Sequence, residues 1–347
     1  MSKLLSSPIN ERYRDLMNST KGLRQRDAAE RLNATEAELV AANCGCESTQ
    51  LDVSDWISFI KELKLLGRVM VLTRNDHCVH ERKGCYESII GHGKRIGLVT
   101  GKDIDLRLFF EAWQYAFAVT APGRGGKALQ SIQFFDRYGN AVHKAYPQES
   151  DRQGEYESLV ERFRAAEQSD SILIDAKPAK TSHPSLEESQ QATFLDEWEK
   201  LQDTHDFFPL LGRYDVGRLQ AMEIAEGRFT RRLDTQAART VLEQARDQEV
   251  SIMVFVGNDS AIQIHTGPVQ KLAISGEWFN VLDPDFNLHL NETGIASAWH
   301  VTKPTKDGDV NSLELYDADG EIIAQFFGAR KPGIPERSDW RQICDGL

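Results

Sequence analysis

Soft metal-ligating side chains are concentrated at His77-Cys78-Val79-His80, with Cys85 downstream. Imidazole and thiolate together would suit zinc or copper. The segment reads as a strand, however, in which His77 and Val79 face one way and Cys78 and His80 the other, so the cluster is split and packing or solvation explains it better. Cys44-Gly45-Cys46 is too tight for a zinc pair, which usually leaves about two to four residues between its ligands. With Cys344 the cysteines number five, an odd count that argues against a disulfide framework. There is no Gly-x-Ser-x-Gly elbow, Walker loop, His-Glu-x-x-His helix or Gly-x-Gly-x-x-Gly turn after a strand. His205, in Asp203-Thr-His-Asp-Phe-Phe, reads by itself as an exposed histidine at a helix start, and Arg107 as a strand arginine in a surface ion pair.

The elements that must position these residues occur twice. Val69-Met-Val-Leu-Thr-Arg-Asn-Asp returns as Ile252-Met-Val-Phe-Val-Gly-Asn-Asp, Asp103-Ile-Asp-Leu-Arg-Leu as Asp285-Phe-Asn-Leu-His-Leu, and Ser131-Ile-Gln-Phe-Phe-Asp-Arg-Tyr-Gly as Ser312-Leu-Glu-Leu-Tyr-Asp-Ala-Asp-Gly. So long a period means two copies of one domain rather than a solenoid. In copy one, 10–45 reads as helical, with a Thr35-Glu36-Ala37-Glu38 capping box, and 69–146 as short β-branched and aromatic runs broken by turns, an antiparallel meander. In copy two, 194–227 reads as helical, with Asp215 as an N-cap and Gly227 beyond a helix end, and 251–327 as strands. The expected fold is α+β, duplicated, with two large antiparallel sheets and flanking helices. The expected division is an N-terminal repeat over 1–150, a polar connector over 151–191 and a C-terminal repeat over 192–347.

The 347 residues suffice for two domains at about 150 each. No apolar leader follows Met1 and no apolar run approaches the roughly 18 residues of a membrane span, so a cytoplasmic chain, not membrane-embedded, is expected. A net charge of −12 argues against a nucleic-acid partner, because backbone binders cluster Lys and Arg. The same deficit weakens a helix-turn-helix reading of 25–41.

Copy two, in Asp203-Thr-His-Asp-Phe-Phe-Pro-Leu-Leu, Gln263-Ile-His-Thr-Gly-Pro-Val, Trp278-Phe-Asn-Val-Leu-Asp-Pro-Asp-Phe-Asn-Leu-His-Leu, Ala298-Trp-His-Val-Thr-Lys-Pro-Thr and Ala324-Gln-Phe-Phe-Gly-Ala-Arg-Lys-Pro-Gly, resembles the cytoplasmic haem-utilisation family of Gram-negative bacteria, the HemS, ChuS, ShuS, HmuS and PhuS proteins. The resemblance spans nearly the whole chain and includes the duplication. It implies haem (Fe-protoporphyrin IX) bound between the repeats, with work downstream of an inner-membrane haem importer.

The resemblance makes His205 the iron ligand, a role suited to imidazole. The aligned residue of copy one is Lys21, so the ligand is not a property of the repeated fold. It places Arg107 on the opposite haem face, where a permanently charged guanidinium would hold an oxygen species without competing for iron; the repeat equivalent is His289. Phe109, on the same side of the strand, would touch the porphyrin. Arg218, Lys303 and Arg330, with Gln325, would hold the two propionates. His265 and His300 are read as structural, and His77, His80 or His92 as candidates for a second, weaker haem site. Two functions share this pocket: oxidative haem degradation that releases iron, with Arg107 catalytic and an electron donor required, or a carrier that hands haem to a separate haem oxygenase. The reactive centre belongs to the cofactor, so sequence does not separate them.

Overall fold

The computed structural model describes residues 8–20, 22–123, 128–179, 182–331 and 333–347; Lys21 lies outside them. Two compact units result: 1–73, 81–178 and 258–263 form one, and 74–80, 179–257 and 264–347 the other. The division falls inside strands.

Unit 1 opens with α1 (Pro8–Ser19), α2 (Gln25–Leu32) and α3 (Glu36–Ala41). The capping box is formed: Thr35 Oγ1 accepts the Glu38 N–H at 3.2 Å, and Glu38 Oε2 accepts the Thr35 N–H at 2.8 Å. Gly139, at φ 80°, lies so close that a Cβ there would sit 2.3 Å from Thr35 Oγ1. Only glycine permits both that backbone and that approach. After β1 (Ser48–Leu51) and α4 (Trp56–Glu62) come β2 (Arg68–Arg74), β3 (Cys78–Cys85), β4 (Ser88–His92), β5 (Ile96–Thr100), β6 (Asp105–Phe109), β7 (Trp113–Pro122), β8 (Ala128–Asp136) and β9 (Ala141–Pro147), closed by α5 (Gln153–Phe163). Strand order in the unit is β1-β7-β8-β9-β2 in one sheet and β4-β5-β6 in another. The expected single meander is therefore interrupted: the chain leaves the first sheet after β3 and returns to it after β6, at the 3-10 turn Phe110–Ala112. Phe59, Trp113, Phe134, Leu106 and Leu108 fill the main core.

Unit 2 repeats the plan: α6 (Glu188–Trp198), α7 (Phe207–Tyr214), α8 (Arg218–Ile224), β10 (Thr230–Leu233), α9 (Ala237–Asp247), then β11 (Ile252–Asn258), β12 (Ala261–Gly267), β13 (Leu272–Ser275), β14 (Trp278–Leu282), β15 (Phe286–Asn291), β16 (Ser297–Lys303), β17 (Val310–Tyr316), β18 (Ile322–Gly328) and α10 (Ser338–Asp345). Its order is β10-β16-β17-β18-β11 in one sheet and β13-β14-β15 in the other. Each unit thus carries large antiparallel sheets with flanking helices, the α+β duplication that the sequence predicts. Asp215 is not the expected N-cap. It ends α7 in the left-handed region at φ 51°, a conformation short polar side chains tolerate, and Gly217 begins α8. Asp215 Oδ1 and its carbonyl instead meet His183 Nδ1 at 3.0 and 3.2 Å. Among the described residues no helix is long and apolar enough to cross a membrane.

Candidate functional site

His205 is presented by a 3-10 turn, Thr204–Asp206, that runs into α7. The turn is capped reciprocally: Asp206 Oδ2 accepts the Asp203 N–H at 3.0 Å, and Asp203 Oδ1 accepts the His205 N–H at 2.9 Å. Asp203 Oδ1 also lies 2.5 Å from His205 Nδ1. A carboxylate only accepts, so the contact calls for the proton on Nδ1, and in the neutral ring Nε2 then carries the lone pair. The imidazole is 88% exposed. The His205 backbone N–H, then its ring, then the Arg330 charge hold the Asp203 carboxyl below its ordinary range against a small opposing effect of burial. The turn itself is anchored by Phe207, buried with its ring 4.5 Å from that of Trp198, while Phe208 is 78% exposed.

Arg218, at the start of α8, Lys303, at the end of β16, and Gln325, on β18, converge on one side chain that sequence reasoning did not select, Glu314 of β17. Arg218 donates from Nε and Nη2 to Glu314 Oε2 and Oε1, both at 2.8 Å. Lys303 Nζ donates to Oε1 at 2.8 Å, Gln325 Nε2 to Oε1 at 3.0 Å, and the Tyr316 hydroxyl to Oε2 at 2.7 Å. Lys303 Nζ also lies 4.7 Å, and Arg218 Cζ 5.4 Å, from the centre of the Phe207 ring. Glu314 is fully buried. Burial alone would raise its pKa, but the charges and hydrogen bonds of Arg218 and Lys303 hold it well below the carboxylate range. Burial pulls Lys303 down, with Glu314 opposing and Arg218 adding to the fall. Arg218, despite burial, is raised by Glu314. Two cations thus share one carboxylate, and the Arg218 Nη1 and two Lys303 donors stay outside the bonds to Glu314.

Arg330 stands apart from that cluster, 3.7 Å from Asp307, with its Nε buried and lacking a hydrogen-bond partner among the described residues. Arg107 and Phe109 belong to unit 1. They share the half-buried face of β6 with Asp105, and Arg107 pairs with the Asp105 carboxylate. His300 is held by Asn311 Oδ1 at 3.0 Å and its pKa is lowered by burial; His265 stacks on Phe286 at 3.7 Å. Cys78 and His80 are buried, His77 and Val79 half-buried, and His92 is exposed. Among the described residues no three His, Cys, Asp or Glu side chains are grouped to hold a metal ion.

The model of the "Haemin-degrading HemS.ChuX domain" family matches the chain twice, over 33–163 and 215–347. The hemin transport protein HmuS of Yersinia pestis is 35% identical over 338 residues, covering 97% of this chain and 96% of that protein. Holo-PhuS, a heme-binding protein from Pseudomonas aeruginosa, is 44% identical with a TM-score of 0.93, covering 98% of each chain. ChuS, described as an E. coli heme oxygenase, is 32% identical with a TM-score of 0.87, covering 98% of this chain and 99% of that one.

Proposed function

The chain belongs to the haemin-degrading HemS/ChuX family, and from that premise we propose that it binds haem through His205 and degrades it oxidatively to release iron. The observation that carries the reading is the pairing of His205 with Asp203: one nitrogen of an exposed imidazole is engaged by a carboxylate and the other keeps its lone pair. A ligating histidine is typically oriented and made more basic in this way. The donor set fits haem in a second respect, since the surplus positive charge of Arg218 and Lys303 suits a propionate, with Arg330 and Gln325 as further polar contacts.

Bound haem would supply the iron at which oxygen is reduced and the ring that is opened. The protein's part would be to hold it: His205 would ligate the iron, Asp203 would fix the His205 tautomer, and the cations of unit 2 would orient the carboxylates. Arg107 would hold an oxygen species and Phe109 would touch the porphyrin, with oxygen and an electron donor as co-reactants. A second reading, a carrier that receives haem from an inner-membrane importer and passes it to a separate oxygenase in the cytoplasm, is favoured by the exposure of His205, which leaves the ligand open to transfer.

Purified haem complex followed by absorbance with ascorbate and catalase present separates the two. Loss of the Soret band with a biliverdin-like product or released iron supports degradation, and an unchanged spectrum supports the carrier. His205→Ala should shift and broaden the Soret band and weaken affinity about tenfold or more, the scale on which loss of a metal-site partner acts. An identical spectrum and titration would overturn the ligand assignment.

A further inference from the structure

We propose that Glu314 is a positioning residue for a carboxylate-bearing porphyrin, gathering Arg218, Lys303 and Gln325 into one donor cluster and keeping Lys303 charged. The inference rests on the haem-binding reading and deepens it.

The two copies carry the same buried interaction with its partners exchanged. In unit 1 the cross-strand pair is Gln133 opposite Lys144, and in unit 2 it is Glu314 opposite Gln325. The helix packed beside that pair begins with Glu36 in unit 1 and Arg218 in unit 2, each just after its N-cap. Unit 1 therefore sets an acid on the helix against a base on the strand, Glu36 to Lys144 at 3.3 Å. Unit 2 sets a base on the helix against an acid on the neighbouring strand.

A structural requirement for one buried ion pair would be met by the exchange alone. Unit 2 goes further: where the register of unit 1 has Ala121, it has Lys303, 3% exposed and bonded to the same carboxylate. Burying a second cation without a second acid is costly. Such a surplus is expected where an anion from outside completes the set. The groups facing Lys303 are Arg218 from α8, Glu314 and Tyr316 from β17, uncharged Gln325 from β18, and the Phe207 ring from α7. Tyr316 is kept neutral by burial and donates to Glu314. Glu314 is thus the negative group in this set that opposes deprotonation of Lys303, with Arg218 and burial favouring it.

The test uses the full chain and iron-free protoporphyrin IX, so that ligation by His205 plays no part, with binding read by quenching of tryptophan fluorescence from about pH 6 to about pH 9. In Glu314→Gln the affinity should fall with rising pH about tenfold more than in wild type, the size of effect that loss of one charge-assisted contact produces. With haem at the low end of that range, the Soret position should match wild type. Glu314→Asp, which keeps the charge but has a shorter reach, should lie between the two, and serves alone if the Gln variant does not fold. pH profiles parallel to wild type in the variants that fold would overturn the role of Glu314. Failure of the wild type to bind haem would instead sink the functional reading on which it rests.

Discussion

At the scale of single residues, Asp203 carries two tasks with one oxygen. It caps the turn through the His205 N–H and orients the imidazole through Nδ1. The tasks separate on mutation, because Asn keeps an acceptor oxygen and a good cap but no charge, whereas Ala keeps neither. Residues that orient a metal-ligating histidine typically contribute about 10- to 100-fold in affinity. Asp203→Asn should therefore weaken haem binding at the low end of that range and Asp203→Ala at the high end, measured by titration against wild type. Equal affinities in all three would reduce Asp203 to a cap. The histidine motif was legible in sequence, but the role of Asp203 was not: an acid two residues before a histidine at a helix start reads first as an N-cap.

At the scale of elements, β6 places Asp105, Arg107 and Phe109 on one face, as strand alternation requires. The ion pair between Arg107 and Asp105 agrees with the plain surface reading of that arginine, and the oxygen-holding role remains a proposal that kinetics can decide. If Arg107 holds an oxygen species, Arg107→Ala should leave the ferric Soret position in place while single-turnover haem loss slows about tenfold or more, since one charge-assisted donor contributes about 1.5 to 3 kcal/mol. If it meets a propionate, haem dissociation should quicken and turnover of bound haem stay the same. No change in either returns it to the ion pair with Asp105. Strand periodicity made the duplicated α+β plan readable, as with the alternating burial of β2 and β11. It misled at Glu314, because Ser312-Leu-Glu-Leu-Tyr alternates as though Glu faced water, whereas every residue of β17 is buried. The signal that would have found it lay between the copies: Gln133 becomes Glu314 while Glu36 becomes Arg218, a paired charge exchange. Asp215 misled in the same local way, since left-handed helix ends and N-caps favour the same short polar residues.

At the scale of the whole molecule, the copies differ at a buried titratable position as well as in charge. His143, in the core of unit 1, is buried with Nδ1 3.0 Å from Thr73 Oγ1 and Nε2 2.8 Å from the Tyr86 hydroxyl; opposite Leu315, the matching position of unit 2 is Ala324. Burial lowers the His143 pKa from 6.5 to about 3. The folded state therefore binds this proton less readily than the unfolded chain. Its contribution to stability is complete above about pH 6.5 and is lost progressively as pH falls toward 3, at up to about 1.4 kcal/mol per pH unit. Between about pH 7.5 and pH 5 that amounts to roughly 2 kcal/mol, a sizeable share of the stability of a domain. His143→Gln does not titrate in this range and can hydrogen-bond to Thr73 or Tyr86, so its unfolding free energy should fall by about 2 kcal/mol less over the same interval. Denaturant titrations of both proteins at the two pH values measure the difference directly, and hydrogen exchange at β8 and β9 assigns it to unit 1. His300, half-buried on β16 with its pKa also lowered by burial, acts in the same direction in both proteins and so cancels from the comparison. An equal fall in wild type and variant would mean that the buried imidazole takes up its proton without opening the core, and that its Thr73 and Tyr86 partners accommodate the charged ring.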